Sequence, residues 1–324
     1  MRLATFAEGD GLRAGVVVGD LVHPLPPEVT VLDLVRLGLP AALQVGARAV
    51  AVGPGRRLDG LRLAPPLQPP SVRDFISFER HVEGALRSVV DDATVPPEWY
   101  DAPAFYFTSP HALVGAHDDV PVPPDCALLD FELEVAAVVG RDGRDLSVAE
   151  AKDHVFGYAV FNDWSARDVQ RREMKVGLGP SKGKDFASTL GPWLVTADEL
   201  TSYVDADGGL ALTMRVEVNG HEVGRDVLSN MAWTFPELLA YASRGTWVRA
   251  GDVLGSGTCG SGCLAELWGR SGRREPPPLA PGDLVTMTVD GLGTISNRVV
   301  AGGPAQPVPV ARRRDHLAGE DSSA

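Results

Sequence analysis

Two glutamates separated by one residue lie at the start of a continuous apolar run. The segment Asp130-Phe131-Glu132-Leu133-Glu134 leads directly into VAAVVG. On a β-strand alternate side chains share a face, so Glu132 and Glu134 would lie side by side while Phe131 and Leu133 face away. On an exposed face water would solvate both carboxylates. The apolar flanks indicate a buried strand, where paired carboxylates need a counter-charge, and a hard divalent cation is the expected partner.

A second polar cluster lies in the segment FNDWSARDVQ, residues 161–170. If a helix begins at Asp163, then Asp163, Arg167 and Gln170 fall at i, i+4 and i+7 on one stripe. An acid, a guanidinium and an amide in this order could supply a metal ligand and two groups that hold an anionic substrate. The alternative is a capped helix on which Asp163 and Arg167 form a surface ion pair.

The third chemically informative segment is the turn-rich stretch GKDFAST, residues 183–189, which contains Lys184. The chain has only four lysines and otherwise uses arginine as its cation. A lysine at a site supplies a compact charge for a developing oxyanion. The alternative is a solvated loop lysine.

The elements that must position these residues are mostly short strands separated by Gly and Pro turns. Alternation of apolar and polar residues predicts strands in LTMRVEVNG, LVTMTVDGLG and TISNRVV. A capping-box motif predicts a helix that begins after Ser147 and runs through AEAKDHVFGYAVF, and a second helix begins near Phe235. Since strands and helices do not alternate regularly, we predict an α+β fold rich in antiparallel sheet.

The N-terminal region has a different pattern. Residues 3–23 have the signature of a β-hairpin, and residues 31–51 show weak helical periodicity. The proline-rich stretch RLAPPLQPPS, residues 62–71, predicts a stiff connector that belongs to neither core. We therefore predict a small β-containing domain over 1–65, a larger domain over 72–306 and a flexible tail over 307–324.

Composition narrows the classes of partner. The chain has 324 residues, 44% of them hydrophobic, which is typical of a globular protein. With 43 acidic and 30 basic residues the net charge is -13, which repels nucleic acid and anionic membranes. No apolar run approaches the roughly 18 residues of a membrane helix, and the N-terminus lacks the features of a signal peptide. We expect a cytoplasmic protein with neither a nucleic-acid nor a membrane partner.

Three cysteines are too few for a secreted disulfide framework. Cys259 and Cys263 could share a metal ion, but no histidine lies near them in the sequence. We therefore predict reduced, buried thiols at these positions.

Taken in order, five motifs over residues 72–300 resemble the fumarylacetoacetate hydrolase family. They are D-F-x5-H from Asp74 to His81, F-E-L-E, N-D-W-S-A-R-D-x-Q, G-K-D-F and S-G-T. The resemblance implies a β-roll catalytic domain of the fumarylacetoacetase type behind a small leading domain. It also implies assembly as a homodimer.

The resemblance assigns roles position by position. The implied ligands for Mg²⁺, with Ca²⁺ or Mn²⁺ as alternatives, are Asp74, Glu132, Glu134 and Asp163. The implied catalytic residues are His81, which activates water, Glu266, which orients that histidine, and Lys184, which stabilises a carbanion. The implied substrate-binding residues are Arg167, Gln170, Tyr106 and Thr258.

Together these roles imply cleavage of a carbon-carbon bond in a small anionic 1,3-dicarbonyl acid, such as an acylpyruvate or a compound like fumarylacetoacetate. Ile76 and Met174 stand where fumarylacetoacetase has tyrosines, which favours a substrate with a more apolar tail. The first alternative is an isomerase or decarboxylase of enolisable 2-oxo acids on the same metal site. The second alternative is a non-catalytic small-molecule binding protein.

Two literal motif matches compete with this interpretation. Residues 255–260 fit G-x-G-x-x-G, but they lie late in the chain, with no predicted helix after them and no βαβ unit around them. Residues 179–183 fit the G-x-S-x-G elbow of serine hydrolases, but a proline precedes Ser181. A serine hydrolase is kept as the rival with a different mechanism.

Overall fold

The computed structural model describes residues 1–87 and 94–312. Its strands are β1 (Arg2–Glu8), β2 (Gly11–Val18), β3 (Leu21–Pro24), β4 (Arg56–Arg57), β5 (Leu63–Ala64), β6 (Val72–Phe75), β7 (Phe105–Thr108), β8 (Leu113–Val114), β9 (Val120–Pro121), β10 (Leu129–Asp130), β11 (Leu133–Val139), β12 (Gly143–Arg144), β13 (Val155–Asp163), β14 (Ser165–Ala166), β15 (Ser188–Thr196), β16 (Thr213–Val218), β17 (His221–Val227), β18 (Trp247–Val248), β19 (Val253–Gly255), β20 (Leu284–Val289) and β21 (Gly293–Val300). The α-helices are α1 (Val31–Leu37), α2 (Leu39–Val52), α3 (Glu79–Arg87), α4 (Pro97–Asp101), α5 (Val148–Lys152), α6 (Arg167–Met174), α7 (Phe235–Ala242) and α8 (Leu264–Ser271). Two short 3₁₀ helices span Ala197–Tyr203 and Leu228–Asn230.

Two sheets dominate the fold. The larger has 12 strands, in the order β4-β3-β2-β1-β15-β13-β11-β19-β6-β7, with β5 beside β1 and β8 beside β15. The smaller has five, in the order β17-β16-β20-β21-β9. Most neighbours are antiparallel, whereas β19 with β6, β15 with β8 and β21 with β9 are parallel. The predicted mixed fold rich in antiparallel sheet is confirmed, as are the strands predicted at β16, β20 and β21 and the helix predicted at α7.

The centre of the large sheet is covered on both faces. Every residue of β11 and β13 is buried. On β11, Val135 and Ala137 belong to one apolar cluster, whereas Ala136 and Val138 belong to another. A strand with two buried faces needs a continuous apolar sequence, which explains the run that follows Glu134. That strand carries the Glu134 carboxylate into the protein interior.

The N-terminal hairpin is confirmed by β1, β2 and β3, and the helical periodicity by α1 and α2, which are separated at Gly38 with φ of 86°. The prediction that residues 62–71 form a connector outside either core is wrong. Leu63 and Leu67 are buried, and β5 pairs with β1. The prolines begin only after β5, at position 65, so the backbone of β5 keeps its pairing partner. Since β1 also pairs with β15, the large sheet continues across the predicted boundary, and the domain division stays a prediction.

The helix predicted after Ser147 begins where expected but is much shorter. Ser147 and Glu150 form the predicted capping box. The helix α5 ends at Lys152, and from Val155 onwards the predicted helix is the buried strand β13. The sequence VFGYAVF is rich in aromatic and β-branched residues, which suit a strand packed between two neighbours. β11 and β15 are those neighbours.

The helix predicted to begin at Asp163 begins instead at Arg167. β13 continues through Asp163, which pairs with Ser188 of β15. The predicted stripe is therefore wrong, because Asp163 lies at a strand end while Arg167 and Gln170 lie in the first turn of α6.

The G-x-G-x-x-G segment, residues 255–260, differs from expectation in one respect. A helix, α8, does follow it, with Cys263 as its N-cap. The next strand, β20, lies in the smaller sheet, so the segment belongs to no βαβ unit.

The predicted tail is only partly described. Residues 307–312 are exposed and have no regular secondary structure, and residues 313–324 lie outside the described part of the chain. Over the described ranges, no helix combines the length and apolar character required to cross a bilayer.

Candidate active site and metal centre

Three of the predicted ligands form a buried carboxylate cluster. Asp74 lies on β6, Glu132 directly precedes β11 and Glu134 lies on β11. Each of the three offers an oxygen, and these oxygens all lie within 4.8 Å of one another. β19 runs between β6 and β11, and its Gly255 pairs with Asp74. A Cβ atom at Gly255 would overlap Oδ1 of Asp74 and lie 3.0 Å from Oε2 of Glu134. A glycine is therefore needed where the two acids meet.

The fourth predicted ligand, Asp163, joins this cluster through Lys184. The Lys184 ammonium group donates to Oε2 of Glu132 and, at 2.6 Å, to Oδ2 of Asp163. Its side chain is only 3% exposed, so both ion pairs are shielded from water. The solvated-loop alternative for Lys184 is therefore wrong, because Lys184 lies in the interior between two acids.

The pKa values show where positive charge is lacking. Burial, and then the neighbouring carboxylates, raise the pKa of Asp74 and of Glu134 well above the ordinary range. Burial also raises the pKa of Asp163 to about 6. Burial acts in the same direction on Glu132, but Lys184 and Arg167 outweigh it and lower the pKa of that carboxyl. Asp74 and Glu134 are thus the acids whose charge the protein itself compensates least.

The donor set fits a hard divalent cation. Oδ1 of Asp74 and Oδ1 of Asp163 are buried and have no hydrogen-bond partner among the described residues. Buried polar atoms are almost always paired, so orphaned oxygens in a carboxylate cluster indicate a ligand. Carboxylate oxygens are the donors that Mg²⁺, Ca²⁺ and Mn²⁺ prefer. Asp74, Glu132 and Glu134 could therefore hold such an ion, with Asp163 beside them.

His81 and Glu266 meet between two packed helices. His81 lies on α3 and Glu266 on α8, and Nδ1 of His81 is 3.4 Å from Oε2 of Glu266. The backbone N–H of Ser261 donates to the same oxygen at 2.7 Å, while Arg270 forms an ion pair with Oε1. His81 is 5% exposed and Glu266 is fully buried. The carboxylate is thus held in place from three directions.

The close packing of α3 and α8 depends on Gly84. A Cβ atom at this position would overlap Cγ of Glu266 and lie 3.3 Å from Nε of Arg270. Sequence reasoning passed over Gly84, because a single glycine in a helical stretch has no distinctive pattern.

Arg167 connects the predicted site to an acid that the sequence analysis did not assign. Its Nε donates to Asp130 at 2.8 Å, and its other guanidinium nitrogens donate to Glu132 at 2.7 Å and to Gln170 at 3.1 Å. Asp130 is fully buried and also accepts the backbone N–H groups of Leu264 and Ala265 at the start of α8. Asp130 therefore positions both Arg167 and the helix of Glu266. The position of Asp130 directly before F-E-L-E was the sequence feature from which its role could have been suspected.

The remaining predicted residues line the same interior region. Tyr106 donates its hydroxyl to Oδ2 of Asp163, and burial raises its pKa, so it stays a hydrogen-bond donor. Oγ1 of Thr258 donates to Oε1 of Glu134 at 3.4 Å. The structure thus brings the predicted site residues into one region, while their individual roles stay predictions.

One thiol contradicts the expectation drawn from sequence distance. Cys263 is free and fully buried, as predicted. Its Sγ is 3.8 Å from Nδ1 of His81, although no histidine lies near it in the sequence. The contact arises because α3 packs on α8, whose N-cap is Cys263.

Comparison with known proteins decides the family. The family model for the C-terminal part of fumarylacetoacetate (FAA) hydrolase matches residues 72–300, most of the chain. The chain belongs to the fumarylacetoacetate hydrolase family. The resemblance carried by the five motifs is thereby confirmed.

Relatives in this family include hydrolases and isomerases. Oxaloacetate tautomerase YisK of Bacillus subtilis is 30% identical over 244 residues, 75% of this chain and 74% of that protein. Fumarylacetoacetase of Dictyostelium discoideum is 36% identical over 168 residues, 44% of this chain, and the match spans only 39% of that longer protein. The matched names are those of enzymes, and they do not agree on one reaction.

Solved structures agree on the fold over almost the whole chain. A fumarylacetoacetate hydrolase from psychrophilic Exiguobacterium antarcticum has a TM-score of 0.72 and 25% identity, covering 93% of this chain and 99% of that one. A putative HpcE protein from Mycobacterium smegmatis has a TM-score of 0.72 and 28% identity, covering 94% and 100%. The predicted fold of the fumarylacetoacetase type is confirmed.

Proposed function

We propose that the protein is a divalent-metal-dependent hydrolase that cleaves a carbon-carbon bond in a 1,3-dicarbonyl acid such as an acylpyruvate. The observation that carries the proposal is the buried pair of His81 and Glu266 beside the carboxylate cluster. His81 and Glu132 offer ligand atoms within 4.8 Å of each other, so a base stands next to the ion site. Hydrolysis needs a base that is placed to activate water, whereas tautomerisation needs no activated water.

The residues that would hold the ion are Asp74, Glu132 and Glu134, with Asp163 beside them. A bound divalent cation supplies Lewis acidity, which polarises the carbonyl oxygens of a dicarbonyl acid and stabilises an enolate. We propose Mg²⁺, with Ca²⁺ or Mn²⁺ as alternatives, because all the donors are carboxylate oxygens.

His81 acts as the general base in this proposal. Glu266 faces Nδ1, which leaves the opposite ring nitrogen to accept a proton from the attacking water. A carboxylate at one nitrogen stabilises the imidazolium that forms when the other takes the proton. Ser261 and Arg270 fix the carboxylate, so that the geometry is set before substrate binds.

Substrate charge is met by the cationic side chains. Arg167 and Gln170 contact each other and present a guanidinium and an amide, which suit a carboxylate group. Burial acts to lower the pKa of Lys184, but Asp163 and Glu132 outweigh it and raise that pKa, so the side chain stays an ammonium ion. It can therefore stabilise the carbanion left by bond cleavage. The partner we propose is a small anionic oxo acid. Assembly as a homodimer and a cytoplasmic location stay predictions.

The second candidate is an isomerase or decarboxylase of enolisable 2-oxo acids. It is favoured by the tautomerase relative, whose similarity covers about three quarters of both chains. Proton transfer between carbon and oxygen would use the same ion site and one acid-base group, without attack by water. A non-catalytic binding protein would use the site for affinity alone.

A substrate panel tests these candidates on the purified full chain. Acylpyruvates of different tail length and oxaloacetate are incubated with and without Mg²⁺ after chelator treatment. The proposal expects equimolar pyruvate and carboxylic acid from an acylpyruvate, with activity lost on chelation and in the His81→Ala and Glu266→Gln variants. Keto-enol interconversion or carbon dioxide release without acid cleavage would assign the isomerase or decarboxylase function instead.

Two further outcomes identify the remaining rivals. Ligand affinity that survives His81→Ala, with no turnover in either protein, would indicate a binding protein. Activity that resists chelation but disappears in Ser181→Ala would indicate a serine hydrolase.

A further inference from the structure

A second group of potential metal ligands lies beside the carboxylate cluster and differs from it in chemistry. His81, Glu132 and Cys263 each offer a ligand atom, and these three atoms lie within 4.8 Å of one another. His81 and Glu132 are each 5% exposed, and Cys263 is fully buried. The group combines a thiol, an imidazole and a carboxylate, whereas the cluster of Asp74, Glu132 and Glu134 contains oxygen donors only.

This donor set selects a different class of metal. Thiolate and imidazole ligands favour Zn²⁺, whereas Mg²⁺ and Ca²⁺ take oxygen donors. Ligand bonds of about 2.3 Å to sulfur and 2.0 Å to nitrogen in a tetrahedron place the two donors about 3.5 Å apart. The observed distance from Sγ of Cys263 to Nδ1 of His81 is 3.8 Å. The pair therefore needs little movement to share an ion.

The local charge also favours a further cation. Five buried acids lie in the same region as Lys184 and Arg167; they are Asp74, Asp130, Glu132, Glu134 and Asp163. Arg167 contacts one oxygen of Glu132, and Lys184 contacts the other. A dication that takes one of these oxygens displaces one contact of Arg167 or Lys184 and adds two positive charges to a region where acids outnumber these two cations.

We propose that His81, Glu132 and Cys263 form a binding site for a thiophilic divalent cation, Zn²⁺ in particular, and that its occupation inhibits the enzyme. Binding converts the Cys263 thiol to a zinc-bound thiolate and releases one proton to solvent. The sulfur still accepts a hydrogen bond from the backbone N–H of Glu266, whose nitrogen lies 3.4 Å from it, so the helix-capping contact is kept.

Inhibition follows from which atoms the ion would take. Nδ1 of His81 faces both Sγ of Cys263 and Oε2 of Glu266. An ion between sulfur and Nδ1 separates His81 from Glu266. It also leaves the single ring proton on the opposite nitrogen, which then cannot accept a proton from water. It also competes for Glu132, a ligand of the carboxylate cluster. Ion binding does not rest on the proposed hydrolase function; only the inhibition does.

Co²⁺ and Zn²⁺ are the probes for the test, which uses the chelator-treated full chain. Cobalt bound to a thiolate shows a sulfur-to-metal charge-transfer absorption in the near ultraviolet, whereas cobalt bound only by oxygen and nitrogen does not. The wild type, Cys263→Ser and two matched controls, Cys259→Ser and Cys126→Ser, are titrated with Co²⁺. We expect the band in the wild type and both controls and its loss in Cys263→Ser. Absence of the band in the wild type, or its persistence in Cys263→Ser, would overturn the site.

Inhibition is measured separately, with Zn²⁺ titrated at saturating Mg²⁺ and each variant compared with its own zinc-free rate. We expect the Zn²⁺ concentration for half-inhibition to rise at least tenfold in Cys263→Ser and to stay unchanged in Cys259→Ser. Equal inhibition of all variants would place zinc on the carboxylate cluster instead and refute the inhibitory site. If Cys263→Ser does not fold, His81→Ala provides the binding test. The cobalt band of this variant should be at least tenfold weaker than that of the wild type at the same Co²⁺ concentration. A cobalt band in a protein without hydrolase activity would support the site and refute only the proposed function.

Discussion

Replacing Gly84 by alanine tests whether the packing of α3 on α8 positions the catalytic pair. The added Cβ would overlap Cγ of Glu266 and lie 3.4 Å from its Cδ. Carbon atoms in contact are about 3.5 to 4.0 Å apart, so the side chain of Glu266 must shift by about 1 Å. The carboxylate would then leave the positions set by Ser261 and His81.

The expected magnitude follows from this displacement. A misplacement of about 1 Å in a catalytic group costs about 100-fold in rate, so kcat should fall by about that factor. KM should change little, because Arg167 and Gln170 contact each other and the acids rather than Gly84. Alanine stabilises a helix interior by about 1 kcal/mol relative to glycine, but overpacking costs about 1 to 3 kcal/mol. The free energy of unfolding should therefore stay unchanged or fall by up to about 2 kcal/mol.

The assay combines acylpyruvate hydrolysis with urea unfolding. Gly53→Ala is the matched control, since its Cβ would approach only the carbonyl oxygen of Ala49, at 3.9 Å. The Gly84→Ala change is also made in a Glu266→Gln background. If it acts through Glu266, it should cause almost no further loss there. A Gly84→Ala variant that is fully active and more stable than the wild type would refute the packing argument.

Three further changes test the site and the fold. Lys184→Met breaks buried ion pairs to Glu132 and Asp163 and should lower the stability of the metal-free protein by about 3 to 5 kcal/mol. Mg²⁺ should recover part of this loss. A metal-free variant with the same melting temperature as the metal-free wild type would contradict the prediction. In the folded protein the pKa of Asp163 is raised from 3.8 to about 6, so between pH 3.8 and about pH 6 the folded state binds more protons than the unfolded state. The free energy of unfolding should therefore fall by roughly 3 kcal/mol as the pH rises from 3.8 to about 6. Urea unfolding at several pH values measures the slope, which Asp163→Asn should reduce. Ser147→Ala removes the N-cap contact to Glu150 and should cost about 1 kcal/mol without changing activity, as unfolding and rate measurements would show.

Local periodicity was sufficient to predict part of the site. Glu132 and Glu134 are buried together because their two-residue spacing in an apolar run leaves few other arrangements. The spacing could not show that Asp74 joins them. That contact depends on the parallel pairing of β6 with β19, and on a glycine at position 255 where the two acids need space. Only the family resemblance predicted it.

Local pattern failed where a sheet competed with a helix. The segment from Asp163 to Gln170 suits a helical stripe, but Asp163 gains a strand partner in Ser188, and the helix starts only after β14 has paired with β10. The helix begun at Ser147 stops early for the same reason. In both cases tertiary pairing in the central sheet outweighed a pattern that is compatible with either structure.

The charges of the site divide it into two sides that meet at Glu132. Lys184 and Arg167 both contact Glu132 and lower its pKa against the effect of burial, so its carboxylate is ionised in the protein alone. Asp74 and Glu134 show the opposite behaviour, since burial and then repulsion from neighbouring carboxylates raise their pKa values. A hard cation is therefore needed on the side of Asp74 and Glu134, where it would replace protons. On the other side, the thiol of Cys263 and the ring of His81 offer softer donors to the same ionised carboxylate. Glu132 is consequently the residue for which activating and inhibiting ions would compete.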